Sequence, residues 1–138
     1  MKIYRIEHPY DGCGPYTTYY DYDSCGIKWS HTPTSGHPNP YTEFKIAMNP
    51  DQYCGFNSIE NLMKWFRDCI NNFHENGFVL KVYEGNIDNI SPITGQVVFV
   101  KKNSAFVSEM VLTDLLEKHG DPCMKFGKEV YRLSKAWQ

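Results

Sequence analysis

An amphipathic stripe constrains the fold of this chain more than any other feature. Between residues 59 and 73, apolar side chains recur three and four positions apart, the period of one helical face. Asn57 is a favoured N-cap residue, Glu60 can complete a capping box, and Gly77 is a typical C-terminal stop. The pattern predicts a helix over residues 58–75 with one face in the core. That face consists of Ile59, Leu62, Met63, Phe66, Cys69, Ile70 and Phe73.

Strand-like segments lie on both sides of this helix. Residues 2–8 alternate between apolar and polar side chains, as expected for a half-buried strand. Residues 78–84 and 96–100 are rich in β-branched and aromatic side chains, and the polar residues 86–95 between them predict a loop. Residues 129–133 predict a last short strand. We therefore expect a sheet built from segments that are far apart in the chain.

A long segment separates the first strand from the main helix. Residues 9–52 contain six of the eight prolines and many of the tyrosines, which predicts a loop region that is ordered by its aromatic side chains. Near the C-terminus, Ser108 is a candidate cap for a shorter helix that ends before Gly120 and Pro122. The expected fold is one α+β domain over residues 1–138, with a mixed, mostly antiparallel sheet packed against the two helices.

Composition excludes several classes of protein. The chain has 138 residues and a formal net charge of -2, with no run of basic residues. A nucleic-acid backbone is therefore not an expected partner. No apolar run is long enough to span a bilayer, and no signal peptide opens the sequence, so we expect a cytoplasmic protein with no membrane partner.

The five cysteines do not predict a disulfide framework, because their number is odd and no secretion signal is present. Cys54 precedes the predicted helix closely enough to feel its N-terminal dipole, which leaves a cysteine nucleophile open as an alternative. Its base would be one of three histidines, His8, His31 or His37. A zinc site would need ligands at unusual spacings, so we expect no metal. Those ligands would be Cys13, Cys25, His31 and His37.

The order of an arginine-bearing strand, a long loop, a capped helix and two strands resembles the ADP-ribosyltransferase superfamily, in the branch with Arg, Ser and Glu motifs. The resemblance covers residues 2–107 and implies an ADP-ribosyltransferase-like fold with NAD as cofactor. It implies that Arg5 binds the pyrophosphate and that Ser58 orients the nicotinamide ribose. Gln96 stands where the family has its catalytic glutamate. Glutamine carries no negative charge, so any transferase or NAD-glycohydrolase activity at Arg5, Ser58 and Gln96 is expected to be weak or lost.

The resemblance also implies a nucleotide-binding cleft beside the first strand. Arginine suits phosphate oxygens, histidine at a strand end suits phosphate or proton transfer, and tyrosine rings suit stacking on a base. The implied cofactor-binding residues are Arg5, His8, Gly14, Tyr16, Tyr41, Asn57 and Ser58.

The opening residues 4–8, together with residues 14–16, are similar to small phage-encoded proteins. This similarity implies a protein that acts on or against a host system in the host cytoplasm. The leading hypothesis is binding of NAD, ADP-ribose or a related nucleotide. The alternative is an interaction module that binds a host protein through the tyrosine-rich residues 10–53 without a small ligand.

Overall fold

The computed structural model describes residues 1–15, 44, 48–67 and 69–126. Within them, six strands form one sheet, and every strand pairing is antiparallel. The α+β class is confirmed, while the expected mixed sheet is wholly antiparallel in this part of the chain. The strands are β1 (Lys2–Glu7), β2 (Gln52–Phe56), β3 (Val79–Glu84), β4 (Ile87–Ile90), β5 (Gln96–Val100) and β6 (Ala105–Val111). Their order across the sheet is β4-β5-β2-β1-β3-β6.

Four α-helices of the described residues supply the other layer, and a 3-10 turn at Lys101–Asn103 joins β5 to β6. None of these helices is long and apolar enough to cross a bilayer. Gly77 and Gly120 both have positive φ, 86° and 85°, and follow the ends of helices as the sequence predicts. The helices are α1 (Ile59–Trp65), α2 (Ile70–Glu75), α3 (Leu112–His119) and α4 (Pro122–Phe126).

The predicted main helix over residues 58–75 is two short helices, which corrects the sequence prediction. Helix α1 ends at Trp65, and the backbone of its C-cap residue Phe66 leaves helical geometry at φ -101° and ψ 19°. The chain then turns, and the amide of Cys69 donates to the carbonyl of Phe66 at 2.8 Å. The break places the rings of Phe66 and Phe73 5.2 Å apart. Tertiary aromatic packing therefore overrides a continuous helical period, although the predicted apolar face is buried apart from Ile59, which is half-buried.

The start of α1 also differs from the prediction by one residue. Ser58 is the N-cap, and its Oγ accepts a hydrogen bond from the amide of Asn61 at 3.1 Å. The side chain of Asn57 instead accepts from the Nδ2 of Asn61 at 2.8 Å. Both residues are good caps, so the local sequence does not distinguish them.

Three strands of the described residues, β2, β4 and β6, were not predicted. Strand β2 lies where the sequence predicts only the approach to a helix, and β4 lies within the predicted polar loop 86–95. Ser108 does not cap a helix but lies in β6, where it pairs with Val82, and α3 begins only at Leu112. These strands form through pairing with distant segments, which local patterns do not encode. The predicted strand at 129–133 lies outside the described residues.

The two faces of the sheet have different surroundings. On the helix face, Ile6 and Phe56 join the main core, which contains the buried side chains of α1 and α2. On the opposite face, Ile3 and Tyr83 belong to a smaller apolar cluster with Val97 and Phe99. Because successive strand residues point to opposite faces, the odd-numbered residues of β1 share this second face. We call it the groove face.

Candidate functional site

A buried carboxylate lies at the centre of the groove face. Glu7 is the last residue of β1, and its side chain is fully buried. Its Oε2 lies 2.6 Å from the Nζ of Lys101, and its Oε1 accepts a hydrogen bond from the hydroxyl of Tyr83. The Nε of Arg5 lies 3.9 Å from the same Oε1. A buried charge requires this kind of pairing, because desolvation otherwise penalises it heavily.

Arg5 is held by backbone carbonyls as well as by this carboxylate. Its Nη1 donates to the carbonyl of Cys54 at 2.7 Å, and its Nη2 donates to the carbonyl of Gly12 at 3.2 Å. The guanidinium carbon lies 5.0 Å from the ring centroid of Tyr53. The arginine therefore ties β1 to β2 and to the loop after β1, while its buried Nε has no hydrogen-bond partner among the described residues.

The ionic cluster of Arg5, Glu7 and Lys101 has an excess of positive charge. Arg5 and Lys101 together carry two positive charges against the single carboxylate of Glu7. Tyr83 stays neutral, since burial, and then its hydrogen bond to Glu7, raise the pKa of its phenol above the ordinary value. The phenol therefore keeps its proton and acts as a hydrogen-bond donor.

Lys101 brings the connection between β5 and β6 onto the groove face. Its Nζ lies 5.1 Å from the ring centroid of Tyr53 and 5.6 Å from that of Tyr83. Gly12 approaches from the other side with φ 71°, and a Cβ there would lie 2.6 Å from the same Nζ. A side chain at this position would push the lysine away from Glu7, so the close approach requires glycine.

An open groove lies next to this cluster. Its volume is about 440 Å³, within the usual range for sites that bind small molecules. Aromatic rings and two lysines line it together, so the groove offers flat apolar surface beside positive charge. The lining residues are Asp51, Tyr53, Tyr83, Lys101, Lys102, Ser104 and Phe106.

The second lysine of the groove, Lys102, forms its ion pair at the protein surface. The Nζ of Lys102 lies 3.1 Å from the Oδ2 of Asp51, and the two side chains are 67% and 63% exposed. A pair this exposed contributes little to stability, because water screens it and both side chains lose freedom in forming it. Lys102 is therefore the cation of the groove that a ligand can recruit most readily.

The structure separates the residues that the sequence places in one cleft. Gln96 begins β5 as predicted and is opposite Phe56, which is in turn opposite Tyr4. Residues opposite one another share a face, and Tyr4 and Arg5 are neighbours in β1, so Gln96 and Arg5 lie on opposite faces. Asn57 and Ser58 follow β2 directly, and the amide of Asn57 donates to the carbonyl of Gly95, the residue before Gln96, at 3.0 Å.

Of the other predicted contacts that the structure describes, Gly14 lies beside Arg5. A Cβ at Gly14 would be 3.1 Å from the Nη2 of Arg5, so this glycine does adjoin the guanidinium. His8 packs instead against Phe78 on the helix side, with ring centroids 5.7 Å apart. Tyr16 and Tyr41 lie outside the described residues.

The cysteine and zinc alternatives receive no support from the described geometry. Cys54 lies in β2, and its Sγ is 3.5 Å from the Sδ of Met48, which precedes that strand. Burial, followed by Asp11, raises the pKa of the Cys13 thiol. Among the described residues, no three metal-ligating side chains are grouped closely enough to hold an ion. Cys25, His31 and His37 lie outside that part of the chain.

The groove is not evident from the sequence. Two signals were available, since Lys101 and Lys102 directly follow a strongly predicted strand and the chain is rich in tyrosine. Nothing local indicates that Glu7 is buried, because its partners Tyr83 and Lys101 are 76 and 94 positions away.

Comparison with known proteins shows the family of the chain. A family model described as Bacteriophage T4 Y00F protein matches residues 1–113, so the chain belongs to this family. The match supports the phage origin expected from the opening residues. No curated protein and no solved structure matches the chain significantly. None of the comparisons supports a relation to ADP-ribosyltransferases.

Proposed function

We propose that this phage-family protein binds a nucleotide such as NAD or ADP-ribose, and that the ligand occupies the groove beside Lys101 and Lys102. The observation that carries the proposal is the shared lining of aromatic rings and lysines around a volume of about 440 Å³. A nucleotide presents a flat base, which stacks on aromatic rings, and a charged phosphate, which pairs with lysines.

The described contacts suggest a division of roles within the groove. Phe106 is 59% exposed, so its ring is available to stack on a base. Lys102 is available to the phosphate, while Lys101 stays with Glu7 and adds positive potential from below. This arrangement differs from the cleft that the sequence predicts, because Gln96 and Ser58 do not line the groove.

We propose binding of the nucleotide and no catalysed reaction. The buried Glu7 is already bonded to Tyr83 and Lys101, so it does not replace the missing catalytic glutamate as a free carboxylate. As a phage protein that binds a nucleotide in the host cytoplasm, it would act on the host by sequestering or sensing that nucleotide.

Lys102→Ala should weaken binding of NAD or ADP-ribose about tenfold, because a charge-assisted contact to phosphate is lost. Isothermal titration calorimetry on the parent and the variant measures this directly. Lys118→Ala is the matched control, since it removes an equal charge from an exposed position in α3 and should leave the affinity unchanged.

A second measurement tests the binding proposal itself. NAD, ADP-ribose and AMP at millimolar concentration should each be tested for a rise in the melting temperature, which a ligand that binds only the folded state produces. If none of the three raises the melting temperature, the nucleotide proposal is wrong.

Binding of a host protein is the second candidate, and the edge strand β6 favours it. Among the described strands β6 pairs only with β3, and Phe106, Val107 and Val111 are between 43% and 59% exposed. An exposed apolar edge is a common docking site for an extended segment.

Val107→Lys should abolish such an association in extracts of infected cells. If the parent and this variant recover the same partner, β6 is not the docking site. The tyrosine-rich residues 10–53, expected to form this interface, lie largely outside the described residues.

A further inference from the structure

Two ion pairs in the groove differ sharply in their surroundings. Lys101 binds Glu7 at 2.6 Å, and this carboxylate is completely buried. Lys102 binds Asp51 at 3.1 Å, and most of both side chains is in water. The two lysines are adjacent in the chain, but a ligand meets them under different conditions.

The burial decides which pair an incoming anion can break. Moving Lys101 away would leave the carboxylate of Glu7 buried without its closest cation, and the protein resists that change strongly. Breaking the pair of Lys102 and Asp51 only returns two exposed groups to water, which changes the free energy little. An anionic ligand therefore takes Lys102 and leaves Asp51 beside its own charge.

We infer that Asp51 is the residue that determines specificity in this groove, and that it favours a phosphate bearing one charge over a phosphate bearing two. The inference rests on the proposed function. Asp51 stays within a few ångströms of the phosphate that Lys102 binds. The repulsion between the Asp51 carboxylate and this phosphate therefore grows with the charge of the phosphate. The bridging phosphates of a pyrophosphate carry one charge each, whereas a terminal phosphate monoester carries close to two. The preferred ligands are thus dinucleotides and nucleotide sugars, and mononucleotides bind more weakly.

Asp51→Asn tests this inference by removing the charge with almost no change in size. NAD and AMP are titrated into the parent and the variant by calorimetry at pH 8, where the phosphate of AMP carries two charges. We expect the substitution to raise the affinity for AMP about twofold more than it raises the affinity for NAD, because both charges of AMP lie at Lys102 while the second charge of the pyrophosphate lies on the neighbouring phosphate, farther from Asp51. The melting temperature of the variant without ligand should stay close to that of the parent.

Asp114→Asn is the matched control, because Asp114 is an exposed carboxylate in the first turn of α3. It should leave the ratio of the two affinities unchanged. If the parent binds both ligands and Asp51→Asn changes their affinities by equal factors, the inference about Asp51 is wrong while the binding proposal stands. If neither protein binds either ligand, the proposed function is wrong and the inference with it.

Discussion

Glu7→Ala should lower the free energy of unfolding by about 3–5 kcal/mol. The substitution leaves the buried cation of Arg5 and the partly buried cation of Lys101 without their carboxylate, and it removes the acceptor of the Tyr83 hydroxyl. It also releases the connection between β5 and β6 from the sheet. Chemical denaturation monitored by tryptophan fluorescence measures the loss.

Glu84→Ala is the matched control for this prediction. Glu84 also forms an ion pair, with the N-terminal amine at 2.7 Å, but both partners are between 41% and 50% exposed. Its removal should cost less than about 1 kcal/mol, because exposed pairs contribute little. An equal loss for the two variants would mean that burial of Glu7 does not govern the stability of the groove face.

Phe66→Ala should lower the free energy of unfolding by about 3–5 kcal/mol, the usual range for a phenylalanine removed from a well-packed core. Phe66 is only 4% exposed and contacts the rings of Phe56, Trp65 and Phe73 at centroid distances from 5.2 to 6.4 Å. It also occupies the break between α1 and α2, so the cavity would lie where the two helices meet. Urea denaturation gives the value.

Phe106→Ala provides the comparison with a phenylalanine in the sheet. Its ring is largely exposed beside the groove, so the same truncation should cost less than about 1 kcal/mol. The affinity for NAD should fall instead, if the ring stacks on the base. A loss below about 1 kcal/mol for Phe66→Ala would place the predicted apolar face outside the core.

The two stability predictions concern different faces of one sheet. The helix face is stabilised by apolar burial, whereas the groove face combines a small apolar cluster with a buried ion cluster. Buried charges add less stability than apolar packing of the same volume, yet they are costly to disrupt.

Local signals in the sequence are enough for the elements whose stability is local. The spacing of apolar residues from Leu62 to Phe73 identifies the buried face, and Gly77 and Gly120 mark the helix ends because they adopt positive φ. Strand β5 has the predicted bounds, since a β-branched run followed by lysines leaves few alternatives. The phage origin is also indicated by the opening residues.

Tertiary structure alone decides the site. The sequence predicts Arg5 as a ligand contact, but pairing of β1 with β2 brings the carbonyl of Cys54 to its guanidinium. Gln96 and Arg5 lie on opposite faces of the sheet, because residues that are paired across neighbouring strands share a face and Gln96 shares that of Tyr4. Glu7 is buried only because Tyr83 and Lys101, 76 and 94 positions away, arrive beside it. The sequence by itself determines which helical face is buried and where Gly77 and Gly120 end the helices, because these depend on neighbouring residues. Which charges meet depends on strand pairing across the whole chain, and that arises only in the folded sheet.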